Sequence, residues 1–255
     1  MNSKLIGLAI VSMLAFGSGA KAETIKVGMG AFPAPPFFAP DASGNFSGWE
    51  VDILKAICAD QKLDCEITGV SWDGLIPALT AGQIDMIVSS LSITERRMQI
   101  IDFSDKYYNA PAAIVATKGS EIEATPEGLA GKTVGVQVAS VHEAYAQKYF
   151  TESALRPYKS FDEIIQDLVA GRIDATLVEL PVVEEFLKSS SGDCCEIEGN
   201  VAPDVAIFGP GIGAGLRKGD TALKAKINDG IRNILANGTY DAISANYFTS
   251  SIYGD

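Results

Sequence analysis

A run of hydroxyl side chains that ends in an arginine is the part of this chain best suited to bind an anion. The run is Ser89-Ser90-Leu91-Ser92-Ile93-Thr94-Glu95-Arg96-Arg97, in which Thr94 is predicted to cap a short helix. Arg97 then stands at the third position of the first turn, where a cation opposes the helix dipole. An anion docked beside it would explain this placement, because arginine binds a carboxylate through two parallel hydrogen bonds. The open alternative is a solvated arginine paired with a surface acid.

A carboxylate stands at the equivalent place in a second copy of one sequence module. Residues 72–85 (WDGLIPALTAGQID) recur as residues 161–174 (FDEIIQDLVAGRID) without a gap, and the same offset relates Ser90 to Glu179. Ligands of open α/β sheets bind beyond the carboxyl ends of the strands. Hydroxyls and an arginine that face a carboxylate across a cleft are the complement of a zwitterion such as an α-amino acid.

Aromatic and capping residues complete the candidate site. Phe32, Phe37 and Phe38 lie in a proline-rich loop that cannot bury all three, so at least one is expected to line the cleft. Trp72 opens the first repeated helix, where an aromatic is either a packing lid or a ligand platform. Ser140 is predicted to cap a helix of the second half, and its hydroxyl could serve both the cap and an anion.

No motif for catalysis or for a metal cofactor stands out in the sequence. The chain has no Walker loop, no nucleophile elbow and no zinc signature. Its single histidine, His142, is interpreted as a surface or packing residue and not as a base. We therefore predict no catalytic residues, no cofactor and no metal site.

The repeat also indicates the architecture that holds these residues. Each copy is interpreted as an Asp N-cap (Asp73 or Asp162), an amphipathic helix, a capping glycine and an apolar strand. Alternating strands and helices predict an α/β fold of two lobes, each a mostly parallel sheet flanked by helices. Lobe one is expected to hold residues 23–109 plus 212–255, and lobe two residues 110–211. Glycines and a proline at the two crossings suit a hinge, or belong to ordinary loops.

Residues 1–22 have the pattern of a cleaved secretory signal peptide. Lys4, the apolar run 5–16 and the ending Ala20-Lys21-Ala22 supply a basic start, a core too short to span a bilayer and a small-residue cleavage site. The mature protein is expected to be soluble and exported. The net charge of -12 argues against nucleic acid as a partner.

Four cysteines fall into two pairs of different spacing. Cys58 and Cys65 flank the join between a helix and the next strand. In an oxidising compartment this spacing favours a local disulfide, with two reduced core thiols as the alternative. Cys194 and Cys195 are adjacent, and no pairing is assigned to them.

Four motifs carry a resemblance to a known family: WDGLIPAL (72–79), IDMI (84–87), SSLSITERR (89–97) and DFSDKYY (102–108). They strongly resemble those of bacterial periplasmic amino-acid-binding proteins of ABC transporters, in particular the histidine-binding and lysine/arginine/ornithine-binding members. The likeness spans essentially the whole mature chain. It implies a type II periplasmic-binding-protein fold, a monomer with an inner-membrane permease as partner, a periplasmic location and a disulfide between Cys58 and Cys65.

The resemblance also implies roles for individual residues. Arg97 would hold the α-carboxylate of the ligand, and Glu179 stands where the family usually has an Asp that takes the α-ammonium. Trp72 matches an aromatic position that stacks on the ligand side chain. The predicted ligand-binding residues are Phe32, Trp72, Ser89, Ser90, Ser92, Arg97, Ser140 and Glu179.

Two departures from the family concern specificity. The first-loop acid that meets a cationic ligand side chain aligns with Gly30, next to a stretch, Ala31-Phe32-Pro33, that carries one inserted residue. Val141 replaces a hydroxyl residue that usually follows Ser140. Specificity for lysine or arginine is therefore not carried over, and the side-chain pocket is predicted to be more apolar than in the basic-amino-acid binders.

Competing functions remain open on this fold. The leading hypothesis is a binding protein that captures an amino acid by lobe closure and delivers it to a permease. The alternative is a periplasmic enzyme similar to cyclohexadienyl or arogenate dehydratase, with Glu179 as an acid. The intact serine, arginine and acid set favours transport. A receptor sensor domain is a third hypothesis, and it lacks the membrane segment that it would need in cis.

Overall fold

The computed structural model describes residues 24–254 of the chain. The predicted signal peptide, residues 1–22, lies outside the described residues. None of the helices within residues 24–254 is both long enough and apolar enough to cross a bilayer.

The described residues form alternating strands and helices, as the sequence predicts. The strands are β1 (Thr24–Gly30), β2 (Ala39–Pro40), β3 (Phe46–Ser47), β4 (Asp64–Val70), β5 (Met86–Ile87), β6 (Asp102–Tyr108), β7 (Ala112–Thr117), β8 (Thr133–Gln137), β9 (Ala154–Tyr158), β10 (Ala175–Glu179), β11 (Cys195–Asn200) and β12 (Ile212–Leu216). The helices are α1 (Trp49–Asp60), α2 (Leu75–Thr80), α3 (Glu95–Met98), α4 (Val141–Tyr149), α5 (Phe161–Val169), α6 (Leu180–Leu187), α7 (Val205–Phe208), α8 (Thr221–Ala236) and α9 (Thr239–Ser244).

Two five-stranded sheets of the same design form the framework. The first has the order β4-β1-β5-β12-β6 and the second the order β11-β7-β10-β8-β9. In each, the strand next to one edge (β1 or β8) pairs in parallel with two neighbours. The remaining pairs, β5 with β12, β12 with β6, β10 with β7 and β7 with β11, are antiparallel. The predicted α/β class is confirmed, but both sheets are mixed, with as many antiparallel as parallel pairs, where the sequence predicted mostly parallel sheets.

The chain passes between the sheets twice. It leaves the first sheet after β6 and enters the second at β7, and it returns to the first sheet at β12. Gly209, at the return, has a φ of 76°, and a Cβ there would lie 1.8 Å from the carbonyl oxygen of Ile93. Only glycine fits this close backbone contact without strain.

An aromatic cluster fills the core beside the first sheet. The Trp49 ring at the start of α1 is fully buried and meets the rings of Tyr108 and Tyr240 edge-on at 5.3 and 5.7 Å. Its Nε1 donates to the Ser244 hydroxyl at 2.9 Å. Helices α8 and α9 thereby pack on α1, and the end of the chain completes the core of the first sheet.

The predicted Asp N-caps are wrong in both copies of the repeat. Helix α5 is capped by Ser160, whose hydroxyl accepts from the N–H of Glu163 at 3.4 Å, and Glu163 accepts in return from the N–H of Lys159 at 2.9 Å. With Ser160 as the N-cap, Asp162 lies inside the first turn of the helix. In the first copy a 3-10 turn over Trp72–Gly74 precedes α2, and the side chain of Ser71 makes no capping bond.

Both cysteine pairs are bonded. Cys58 at the end of α1 and Cys65 in β4 form the predicted disulfide, with Sγ atoms 2.01 Å apart. The adjacent pair Cys194 and Cys195, to which the sequence assigned no partner, is also a disulfide. It lies where a 3-10 turn over Ser190–Cys194 meets β11.

Candidate functional site

A cleft between the two sheets brings all eight predicted ligand-binding residues together. Its first wall comes from the loop after β1 and from the segment between β5 and α3, and its second wall from the starts of α4 and α5 and the end of β10. The lining residues are Phe32, Ala34, Phe38, Trp72, Ser89, Ser90, Ser92, Arg97, Gln137, Ser140, Val141, His142, Phe161, Ile164, Leu177, Val178, Glu179 and Val182.

Arg97 is a buried cation without a carboxylate partner within the described residues. Thr94 caps α3 as predicted, accepting from the N–H of Arg97 at 3.3 Å. The guanidinium is 8 % exposed and donates to the carbonyl oxygens of Ser92 at 2.9 Å and, across the cleft, of Ala139 at 3.3 Å. Its carbon lies 5.5 Å from the ring centre of Trp72. Burial, with repulsion from Arg96, lowers the pKa of Arg97 to about 10, so the group stays protonated at neutral pH.

The serine hydroxyls beside Arg97 follow the end of β5. Ser89 is fully buried, and its Oγ accepts from the N–H of Gly30 at 3.0 Å, which leaves its own proton to donate. Ser90 has a φ of 50°, a left-handed conformation that is uncommon for serine. This conformation is held by Glu50, whose two carboxylate oxygens accept from the N–H of Ser90 at 2.8 and 3.0 Å.

Glu50 contacts the site through Ser90 and is not among the residues predicted from the sequence. It lies in the first turn of α1, is 0 % exposed, and also accepts from the Tyr107 hydroxyl. Burial raises the pKa of Glu50 to about 7, against the opposing effect of the hydrogen bonds from Tyr107 and Ser90. An acid in a first helical turn has the ordinary pattern of a dipole partner, so only the long-range contact with Ser90 reveals its position.

Glu179 faces the arginine from the end of β10. Glu179 is the N-cap residue of α6, yet its side chain makes no capping hydrogen bond. Burial, and then the neighbouring Glu50 carboxylate, raise the pKa of Glu179 to about 8. The Tyr108 hydroxyl close by is fully buried and, within residues 24–254, has no hydrogen-bond partner of normal geometry. Of these three groups only Glu179 lines the cleft, while Glu50 and Tyr108 are fully buried near it.

Ser140 caps α4 as predicted. Its hydroxyl accepts from the N–H of Glu143 at 3.0 Å and donates to the carbonyl oxygen of Gln137 at 2.7 Å. The proton of Ser140 is therefore already used in this arrangement. His142 lines the cleft and packs against Phe208, with ring centres 6.0 Å apart. Burial, with the charge of Arg97, lowers the pKa of His142 to about 4, which keeps the ring neutral.

Aromatic rings supply much of the remaining lining. Phe37 and Phe38 are buried, whereas Phe32 is half-buried at the cleft, as expected for at least one of the three. Trp72 and its repeat partner Phe161 both line the cleft. The sequence alone left undecided whether Trp72 is a packing residue or a ligand platform. Within the described residues, no group of three or more histidine, cysteine or acidic side chains could hold a metal ion.

Comparison with known proteins identifies the class. Residues 25–250 match the model of the bacterial extracellular solute-binding proteins, family 3, and the chain belongs to that family. The chain is 40% identical, over 99% of its length and 97% of the relative's, to the lysine/arginine/ornithine-binding periplasmic protein of Escherichia coli (strain K12). It is 36% identical, over 98% of its length and 99% of the relative's, to the histidine-binding periplasmic protein of Salmonella typhimurium.

The fold agrees with a solved relative. An ancestral arginine-binding protein bound to arginine matches with a TM-score of 0.81 and 34% identity, over 89% of this chain and 99% of that one. The predicted type II periplasmic-binding-protein fold is thereby confirmed. The predicted function, an amino-acid-binding component of an ABC transporter and not an enzyme, is confirmed at that level.

Proposed function

We propose that this protein binds the α-carboxylate and α-ammonium groups of an amino acid between its lobes in the periplasm. It then delivers the ligand, as a monomer, to the inner-membrane permease of an ABC transporter. Lobe one consists of residues 23–109 plus 212–255 and lobe two of residues 110–211, and the crossings between them act as the hinge. The similarity to a lysine/arginine/ornithine-binding protein and to a histidine-binding protein supports an amino acid as the ligand.

The observation that carries the proposal is a separation of buried charge across the cleft. Arg97 on the first wall has carbonyl partners and no carboxylate partner within the described residues, while Glu179 lies on the second wall. A buried cation without an anionic partner is unfavourable, and Glu179, whose pKa is raised to about 8, would ionise more readily beside a cation. The arrangement therefore favours a ligand that supplies both missing charges. An α-amino acid carries a carboxylate for Arg97 and an ammonium for Glu179 at short separation.

Roles follow for the other residues of the site. Ser89 has a hydroxyl proton to donate to the carboxylate, and Ser90 and Ser92 lie on the same segment. Trp72 and Phe32 would pack on the ligand. Ser140 orients the start of α4, whose free N–H groups face the anion.

Replacing Arg97 tests the proposal. Bound amino acid is first removed by unfolding and refolding the full chain, and affinity is then measured by titration calorimetry against a panel of amino acids. Arg97→Ala should abolish detectable binding, because loss of a desolvated charge partner costs about 2 kcal/mol or more. Arg96→Ala is the matched control, since Arg96 is exposed on the same helix and should leave affinity unchanged. Near-native affinity in a folded Arg97→Ala protein would refute the site.

A further inference from the structure

The part of the cleft beyond the charged groups contains no second acid for a cationic ligand side chain. Among the described lining residues the ionisable side chains are Arg97, Glu179 and His142, and His142 is neutral at physiological pH. Glu50 is 0 % exposed behind Ser90 and does not line the cleft. Once Glu179 has met the α-ammonium, a further cation would have no carboxylate of its own.

Besides Gln137, which is polar and neutral, apolar side chains occupy the rest of this space. They come from both walls, so a ligand side chain would be enclosed between them: Phe32, Phe38, Phe161, Ile164, Leu177 and Val182. The ring of Phe32 packs edge-on against Phe38 with centres 5.6 Å apart. It also takes the space next to Gly30, where a Cβ would lie 2.5 Å from a ring carbon of Phe32. No side chain fits at position 30 while that ring stays in place.

We infer that the amino acid bound here has an uncharged side chain, aromatic or aliphatic with at most a neutral polar end, and that lysine and arginine are the poorer ligands. This inference rests on the proposed function and adds the ligand class to it. It separates the chain from its named relatives that bind lysine, arginine and ornithine. A cationic side chain would keep only the attraction of aromatic faces, which is weaker than a buried ion pair. It would also lie in one cleft with the buried Arg97 cation.

Matched pairs of ligands provide the test. Refolded, ligand-free protein is titrated with arginine and citrulline, which differ in a guanidinium against a neutral urea group, and with lysine and norleucine. We expect the neutral member of each pair to bind at least about tenfold tighter, because the desolvation of an unpaired charge opposes the cationic member. Tighter binding of arginine or lysine would overturn the inference and leave the proposed function intact. Failure of every amino acid to bind would overturn both.

A substitution at Phe32 tests whether the preference between neutral and cationic ligands can be inverted. Phe32 is half-buried, so a carboxylate at this position keeps contact with water and the fold should tolerate it. Phe32→Glu should invert the preference within each pair by about tenfold, since it adds the missing acid. Phe32→Leu is the control and should preserve the preference for the neutral ligand. An unchanged preference in folded Phe32→Glu would show that this region does not contact the ligand side chain, against the inference.

Discussion

The two lobes share equivalent hydrogen bonds and packing around the repeat, and they differ at positions 90 and 179, which line the cleft. The carboxylate of Asp85 accepts from the N–H of Lys26 at 3.0 Å, and its repeat partner Asp174 accepts from the N–H of Thr133 at 2.6 Å. Four residues separate Asp85 from Ser90, and four separate Asp174 from Glu179. The same bond in both copies ties the segment before β5 or β10 to the neighbouring strand.

The packing beneath the strands is also repeated. A Cβ on Gly28 would lie 2.3 Å from Cδ1 of Ile84, and one on Gly135 would lie 2.6 Å from Cδ1 of Ile173. Each lobe therefore has a glycine, in β1 or β8, that leaves room for the isoleucine of the repeat. The shared frame brings position 90 and position 179 to opposite walls of one cleft.

Against this common frame the two walls carry opposite functions. Position 90 is a serine on the wall that carries the buried Arg97, and position 179 is a glutamate on the opposite wall. A duplicated framework that differs at a few positions can thus give a site with a positive and a negative side. Substitutions at positions where the two copies differ should change the affinity for the ligand. Substitutions at positions where the copies are alike should change the free energy of unfolding.

The largest expected difference lies at the equivalent positions 90 and 179. Glu179→Gln keeps the shape and removes the charge that meets the α-ammonium, so affinity should fall by about 2 kcal/mol or more. Ser90→Ala should cost far less, because its Oγ lies 3.4 Å from Glu50 while the strong bonds to that acid come from the backbone N–H. Calorimetry on both variants measures the contrast. Equal losses would show that the two walls do not have separate roles.

The acids of the site should also make the ligand-free protein sensitive to pH. Glu50 faces Ser90, Tyr107 and Tyr108, and Glu179 faces Glu50, Tyr108 and Arg97. Their folded-state pKa values are raised to about 7 and about 8, above the values expected in the unfolded chain. Their stabilising contribution is therefore complete at a pH below about 4.5 and is lost as the pH rises through about 7 to 8.

Chemical denaturation of ligand-free protein at pH 5 and pH 8.5 measures this effect. The unfolding free energy should fall on the order of 1–3 kcal/mol towards the higher pH. Glu50→Gln should reduce the dependence without abolishing it, because the amide carries no charge at either pH while Glu179 still titrates. Affinity for an amino acid should change in the opposite direction and rise as Glu179 ionises. A stability that increases over this range would contradict the assignment of two buried, proton-holding acids.

The sequence predicted those parts of the site that depend on short-range contacts. The Thr94 cap and the position of Arg97 depend on residues three apart, and the repeat alone indicates that Ser90 and Glu179 correspond. Glu50 could not be assigned to the site in this way, since its partners Ser90 and Tyr107 are distant in the chain. The disulfide of Cys194 with its neighbour was also not predicted, because its spacing matches no common disulfide pattern.

The smallest expected effect concerns the helix caps, where the sequence reasoning chose the wrong residue. Ser160 and Asp162 are both good capping types two residues apart, and the structure assigns the role to Ser160. Ser160→Ala should therefore lower the unfolding free energy by about 1 kcal/mol, the usual value of a lost N-cap. Its repeat partner Ser71 makes no side-chain capping bond, so Ser71→Ala is the matched control and should stay within about 0.5 kcal/mol of the parent. Urea denaturation of the two variants measures the difference. A larger loss for Ser71→Ala would mean that the 3-10 turn of lobe one depends on that hydroxyl, and that the two copies of the repeat begin in the same way after all.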